Sequence, residues 1–399
     1  MNLLKIAWLY LRQKPLNTLL NAMLLGFGIG LVIFLLLVQT QVQNNMARDG
    51  KGIKMVVGAK GSPLQLVLCN IYHIDNPTGN IPLEEANKIA NMRRFVKKSI
   101  PLALGDNYKG YRIVGTNQDY PKHYQAKLAE GNWWSKVMEV TIGAEVAKAH
   151  KLKIGSRFSG AHGLGKDESL THGETSFTVV GIMQTSNTVL DRLILTQIES
   201  VWRVHEPQNK ETKPTEEKPR EITALLITEY SNPIAALNLP RFVNMQTSMQ
   251  GASPAIELLR LFEFIGVGEQ LMHIFAYLVL FMATISVFIA LLNALKDRQY
   301  DLALMRVLGG SRFKIFSQIL VEGLLLAWMG FLLGMVLGHG AVSLLGSMEE
   351  VSDKIPLTGS VFLIEELGLF GLATLVGVLA SLIPAWSVYH TDIAKTLTE

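Results

Sequence analysis

Four stretches of the chain, 16–38, 271–295, 323–345 and 367–388, contain no Asp, Glu, Lys or Arg. A hydrocarbon core about 30 Å thick takes roughly 20 residues of helix, so each stretch is long enough to cross it. The pattern between the first and second stretches is different. Short β-rich runs bounded by turn residues recur at 53–58, 111–115, 140–143, 176–182 and 224–228, and helical periodicity appears at 83–92 and 144–149. From Ser253 to Leu271 apolar residues fall at helical spacing, which predicts a helix running directly into the second stretch.

The predicted fold class is membrane α-helical, with four transmembrane helices and an α+β extracytoplasmic domain inserted between the first and second. The predicted layout has an amphipathic helix over 1–15, membrane helices over 16–40, 271–295, 319–346 and 367–388, and the inserted domain over 41–270. A loop spans 296–318, a second loop 347–366 and a tail 389–399. Residues 206–221 are rich in Lys, Glu, Pro and Thr and read as a solvated insertion. A signal-peptide reading of the first stretch fails on length, and no small-x-small cleavage site follows at 39–45.

Charge sets the orientation. Lys5, Arg12 and Lys14 precede the first stretch, and Lys296, Arg298, Arg306, Arg312 and Lys314 lie between the second and third. Glu349, Glu350, Asp353, Glu365 and Glu366 oppose one lysine, Lys354, between the third and fourth. The excess of basic residues predicts both termini and the 296–318 loop on the cytoplasmic side of the membrane, and 41–270 outside. The 399 residues are 49% apolar and 18% charged, with mean hydropathy +0.26, net charge +4 and pI near 8.9. The basic residues flank the apolar stretches and form no separate patch, so they mark membrane topology and contact with lipid, and no nucleic-acid partner is expected.

Small residues at helix-contact spacing, Gly26 and Gly30, Gly330, Gly334 and Gly338, and Ala373 and Gly377, suggest close helix packing. His339 lies within that ridge and is expected to be hydrogen-bonded. The uncharged stretches hold no acidic pair or charged ladder, which argues against a carrier driven by protons or ions. Cys69 is the sole cysteine, which excludes an intrachain disulfide and a CxxC metal site. Residues 160–166 have the spacing of a phosphate loop, but Asp167 stands where magnesium needs Ser or Thr. No nucleotide site, catalytic constellation or cofactor is therefore expected in the chain. His162 and His172, with Asp167, Glu168 and Glu174, offer a candidate zinc site, and a solvated polar loop has the same composition.

The 296–318 loop carries Asp301, then Met305-Arg306, then Gly309-Gly310. It resembles the signature of the FtsX/MacB (type VII) superfamily of ABC permeases, an acidic residue followed by Leu-Arg-x-Leu-Gly-Ala. Further matches lie at 143–147, at Leu152 and Gly155, at 177–182, at 383–385 and at 392–397. The family's Asp-Pro near the C-terminus is Asp392-Ile393 here. Segments 56–66 and 76–80 resemble a Gram-negative branch. The resemblance implies a homodimer docked on two copies of a separate ABC ATPase, which would hold the ATP and magnesium. It also implies mechanotransmission of the MacB/LolCDE type, with export or extraction of a lipid, lipoprotein, peptide or small hydrophobic compound, and a periplasmic adaptor or binding protein as a further partner. The coupling residues it points to are Arg298, Asp301, Leu304, Met305, Arg306, Val307, Gly309, Gly310 and Arg312. Leu304, Met305 and Val307 would enter an ATPase groove, Arg306 and Arg312 would meet acids or lipid phosphates, and Gly309-Gly310 would end the helix. The alternatives are an FtsX-like signalling protein that controls a cell-wall hydrolase and a permease for metal handling.

Overall fold

A computed structural model describes residues 3–160, 176–205, 219–307, 309–348 and 356–389. It divides into a unit of Met1–Val42, Ile265–Ser352 and Pro356–Glu399, and a second built mainly from Gln43–Phe264.

The first unit begins with helix Leu3–Gln13, which buries Ala7 and Leu11 and exposes Leu4, Trp8 and Leu9. The Arg12 guanidinium lies 5.6 Å from the centre of the Trp8 ring. After a bend at Lys14, Pro15 opens the next helix, where its missing N–H costs nothing. Four helices are long and apolar enough to cross a membrane among the described residues: Pro15–Asp49, Pro254–Asp297, Arg312–Ser347 and Glu365–Tyr389, here the first to fourth spans. Residues 254–297 form one unbroken helix, so the periodicity from Ser253 onward and the second apolar stretch belong to a single element.

The first and third spans meet along glycines. A Cβ on Gly334 would sit 2.8 Å from Ile29 Cγ2 and 3.0 Å from the Gly26 carbonyl oxygen, so only hydrogen fits there. Gly30, Gly330 and Gly338 lie on the same seam, with Leu25 and Ile33 filling the hollows. The third and fourth spans make a second seam, in which Gly377 faces Ala327 and Gly323 faces Ser381. At the far end of the third span, His339 Nδ1 is 2.7 Å from the Gly359 carbonyl oxygen and Nε2 is 3.3 Å from the Glu366 carboxylate. Gln41 of the first span exchanges two hydrogen bonds of 2.9 Å with the Thr358 backbone.

Among the described residues the inserted unit has twelve strands: β1 Met55–Ala59, β2 Ile81–Pro82, β3 Val96–Tyr108, β4 Tyr111–Thr116, β5 Leu128–Gly131, β6 Glu139–Ile142, β7 Arg157–Phe158, β8 Phe177–Met183, β9 Ile194–Thr196, β10 Glu221–Ile222, β11 Ala224–Tyr230 and β12 Met249–Ala252. The large sheet runs β12-β1-β11-β3-β4-β9-β6-β8-β5, with β7 also on β8, and β10 pairs with β2 apart from it. β4–β9 and β6–β8 are parallel pairs and the others antiparallel, which makes an α+β fold with a mixed sheet. β8 buries Phe177, Val179 and Met183 in alternation, as its sequence pattern requires. Among the described residues, the core of this unit includes two apolar clusters. One gathers Met55, Val57, Leu225, Ile227, Leu239 and Val243, the other Ile113, Val140, Ile142, Val146, Phe177 and Ile194.

A polar node lies inside this unit. Tyr124 donates to the Asp49 carbonyl at 2.8 Å, Tyr72 donates to the Met46 carbonyl at 3.1 Å, and His73 Nε2 lies 3.0 Å from the Tyr120 hydroxyl. Burial, with Arg112 and Arg192 nearby, pushes the His73 imidazole well below the usual histidine range. Cys69 is buried and takes a hydrogen bond from Arg112 Nη1 at 3.1 Å. Its burial raises the thiol pKa, which disfavours the reactive thiolate.

Candidate coupling site

The loop between the second and third spans folds into a short helix, Gln299–Val307. Arg298 is the joint at its start, because its backbone N–H bonds back to the Leu295 carbonyl at 3.1 Å and its carbonyl accepts the Leu302 N–H at 3.0 Å. Two glycines close the other end. Gly309 has φ +94° and donates to the Arg306 carbonyl, and the Gly310 N–H reaches the Met305 carbonyl at 2.9 Å. This pair of bonds with a left-handed glycine is the Schellman motif. Ser311 then caps the third span by accepting the Lys314 N–H at 3.3 Å.

The loop helix has two faces. Leu302 is buried with Ile315, Ile319 and Ala385, and Leu295, Met305 and Phe316 pack around them. On the other face Tyr300, Leu304 and Val307 are 62%, 45% and 63% exposed, at positions i, i+4 and i+7, and Phe313 beyond the glycines is 71% exposed. Arg306 is half-buried, and Arg312 is exposed at the first turn of the third span. Met305, placed by sequence with Leu304 in an ATPase contact, is half-buried and packs with the chain's own Leu302, Ile315 and Ile319. Helical phase separates it from Leu304 and Val307. Asp301 lies in the body of the loop helix.

Charged groups lock the root of this helix. The Arg298 guanidinium makes a two-pronged bond to the Glu322 carboxylate, with both prongs 3.2 Å, and lies 4.1 Å from the centre of the Tyr10 ring. The side chains are 12% and 7% exposed. Lys14 pairs with Asp297 beside them. These partners were not identified from sequence. Glu322 lies one residue before the uncharged 323–345 window but inside the predicted 319–346 membrane helix, so that span does bury an acid, paired with Arg298. Glu366, which faces His339, lies likewise one residue before the fourth window.

His162 and His172 fall outside the described residues, as do 161–175 as a whole. Among the described residues no group of three or more His, Cys, Asp or Glu side chains is placed to hold a metal ion.

Two family models match the chain. The FtsX-like permease C-terminal model covers residues 273–393, and the MacB-like periplasmic core domain covers 18–229, more than half of the 399 residues. The chain belongs to the FtsX/MacB superfamily of ABC permeases. Membership makes it a membrane protein and a permease of the ABC class, a type of subunit that is usually not itself an enzyme, and implies an ABC ATPase as partner. No curated protein sequence matches this permease. Among solved structures, the periplasmic region of MacB from Actinobacillus actinomycetemcomitans is 12% identical with TM-score 0.35, over 54% of this permease and 97% of that chain. The extracellular domain of the noncanonic ABC-type transporter YknZ from Gram-positive bacteria is 12% identical with TM-score 0.32, over 50% of this permease and 100% of that chain.

Proposed function

We propose that this permease is the membrane subunit of a transporter of the MacB/LolCDE mechanotransmission type, in which a separate ATPase holds ATP and magnesium and moves the permease through the Gln299–Val307 helix. The observation that carries the reading is the division of that helix into two faces: Leu302 fastened to the third and fourth spans, and Tyr300, Leu304 and Val307 presented outward. An apolar strip on this loop suits a protein groove that would cover it, and burying such a side chain is worth about 1.5–3 kcal/mol. Cations at Arg306 and Arg312 suit acids at the rim of that groove.

Two copies of the permease would sit on two ATPases, with the termini and the loop helix on the cytoplasmic face of the inner membrane. The inserted unit would act outside, on a lipid, lipoprotein, peptide or small hydrophobic compound, with a periplasmic adaptor or binding protein as its further partner. The match of residues 18–229 to the MacB-like periplasmic core supports this reading, and a role in switching a cell-wall hydrolase is the alternative. Changing Leu304 and Val307 together to Asp tests the reading. The full-length variant should enter the membrane normally and lose at least tenfold of the ABC ATPase that co-purifies with the tagged wild-type chain. Recovery of the ATPase at wild-type yield would overturn the assignment of this face.

A further inference from the structure

Contacts that hold the loop helix to its own subunit include the covalent joints through Arg298 to the second span and through Gly309-Gly310 to the third, the apolar packing of Leu302 and Met305, and the Arg298–Glu322 pair. These do not transmit movement equally. The Gly309-Gly310 turn is held by two backbone hydrogen bonds but has no side chain with which to grip a neighbouring span. Apolar contact is non-directional, so it fixes relative orientation less sharply than a hydrogen-bonded fork. A guanidinium–carboxylate fork is directional, because both prongs are lost together when either plane turns.

We infer that Arg298 and Glu322 are positioning residues for energy coupling: their two-pronged bond forces the third span to follow the root of the loop helix when an ATPase moves it. Three features support this. Arg298 occupies the joint itself, so a rotation of the loop helix about its start acts on the guanidinium first. Glu322 lies on the third span, between the Leu326 and Ala327 level and the Leu302 contact, and that span carries the glycine seams to the first and fourth spans. The pair is shielded, with side chains 12% and 7% exposed and the Tyr10 ring over the guanidinium, so water competes poorly for either prong. Arg298 is thus engaged by Glu322 and Tyr10 of its own chain.

The inference rests on the coupling reading above, and the test separates the two. The full-length chain is purified with its ABC ATPase in lipid nanodiscs, and four quantities are read: ATPase recovered per permease, kcat and KM for ATP, and the melting temperature of the complex. Glu322→Gln removes the charge and one acceptor at constant shape. Arg298→Lys keeps the charge and loses the fork and the ring stacking. The expected result is ATPase recovery and KM within about twofold of wild type for both, with kcat down at least tenfold for Glu322→Gln and at least threefold for Arg298→Lys. The double reversal Arg298→Glu with Glu322→Arg should return kcat to within threefold of wild type. If Glu322→Gln fails to assemble, Arg298→Lys and the reversal decide the question. Wild-type kcat in Arg298→Lys, or in an assembled Glu322→Gln complex, overturns the inference. So does a loss of kcat that only follows a fall in melting temperature, since that marks a purely structural pair. ATPase recovered at wild-type yield with Leu304 and Val307 changed to Asp would instead overturn the coupling reading itself.

Discussion

Replacing Gly334 with leucine tests the seam between the first and third spans. A Cβ at this position would lie 2.8 Å from Ile29 Cγ2, 2.9 Å from Ile29 Cβ and 3.0 Å from the Gly26 carbonyl oxygen. Carbon atoms rest at about 3.5–4.0 Å, so the first atom alone asks the helices to part by roughly 0.7 Å, and the backbone oxygen cannot rotate away. Three more carbons follow with no hollow to receive them, because Leu25, Ile29 and Ile33 already occupy the grooves. Overpacking of this kind costs about 1–3 kcal/mol, and a whole isobutyl group against backbone belongs at the upper end. For a unit of this size about 3 kcal/mol lowers the melting temperature by roughly 6–12 °C. Gly340 on the same helix has nothing within 4 Å of its Cβ position and serves as the control. Thermal unfolding of the purified chain in nanodiscs should show Gly334→Leu melting well below both wild type and Gly340→Leu. If both variants melt within about 2 °C of wild type, the glycine seam is not a packing constraint.

Other consequences follow from single residues. His73 is held neutral inside the inserted unit, so unfolding takes up a proton wherever the free imidazole is charged; its contribution is present above about pH 6.5 and is lost as pH falls below that value, at about 1.4 kcal/mol per pH unit. Denaturant unfolding of the inserted unit in the full chain should show a shallower loss of stability between about pH 6.5 and 5 in His73→Gln than in wild type, and parallel curves would contradict the assignment. Gly309→Val places a β-branched residue at φ +94°, which costs at least about 1–2 kcal/mol and frays the end of the loop helix. Co-purified ATPase should fall in that variant while yield in the membrane stays normal, and unchanged ATPase recovery would show that the Schellman turn does not matter for docking.

The large divisions of the fold are legible in the sequence because they rest on uninterrupted apolar runs and on strands with alternating burial, such as β8. The longest strand, β3, is hidden because Lys97, Lys98 and Pro101 interrupt its apolar pattern. Its neighbours explain why it forms. Pro101 pairs with Leu225 of β11 but lies one residue past the last β4 pair, Leu102 with Thr116, and its carbonyl still accepts the Thr116 hydroxyl at 2.9 Å. A missing N–H is tolerable at that place. The site was legible in part for a similar reason. The motif marks the loop, and the glycines mark where its helix ends, but the facing of Met305 depends on the helical phase set by Leu302 against Ile315 and Ile319. Glu322 could not be assigned a partner from sequence, since 24 residues separate it from Arg298 and only the folded turn brings them together.

Photo-crosslinking from the loop helix in intact cells tests the central claim most directly. A photoreactive amino acid at Val307, 63% exposed, should capture the ABC ATPase, and the same probe at Leu302, 7% exposed, should not. Capture of the ATPase from Leu302 as readily as from Val307, or no ATPase captured from Val307 while the complex still co-purifies, would contradict the account.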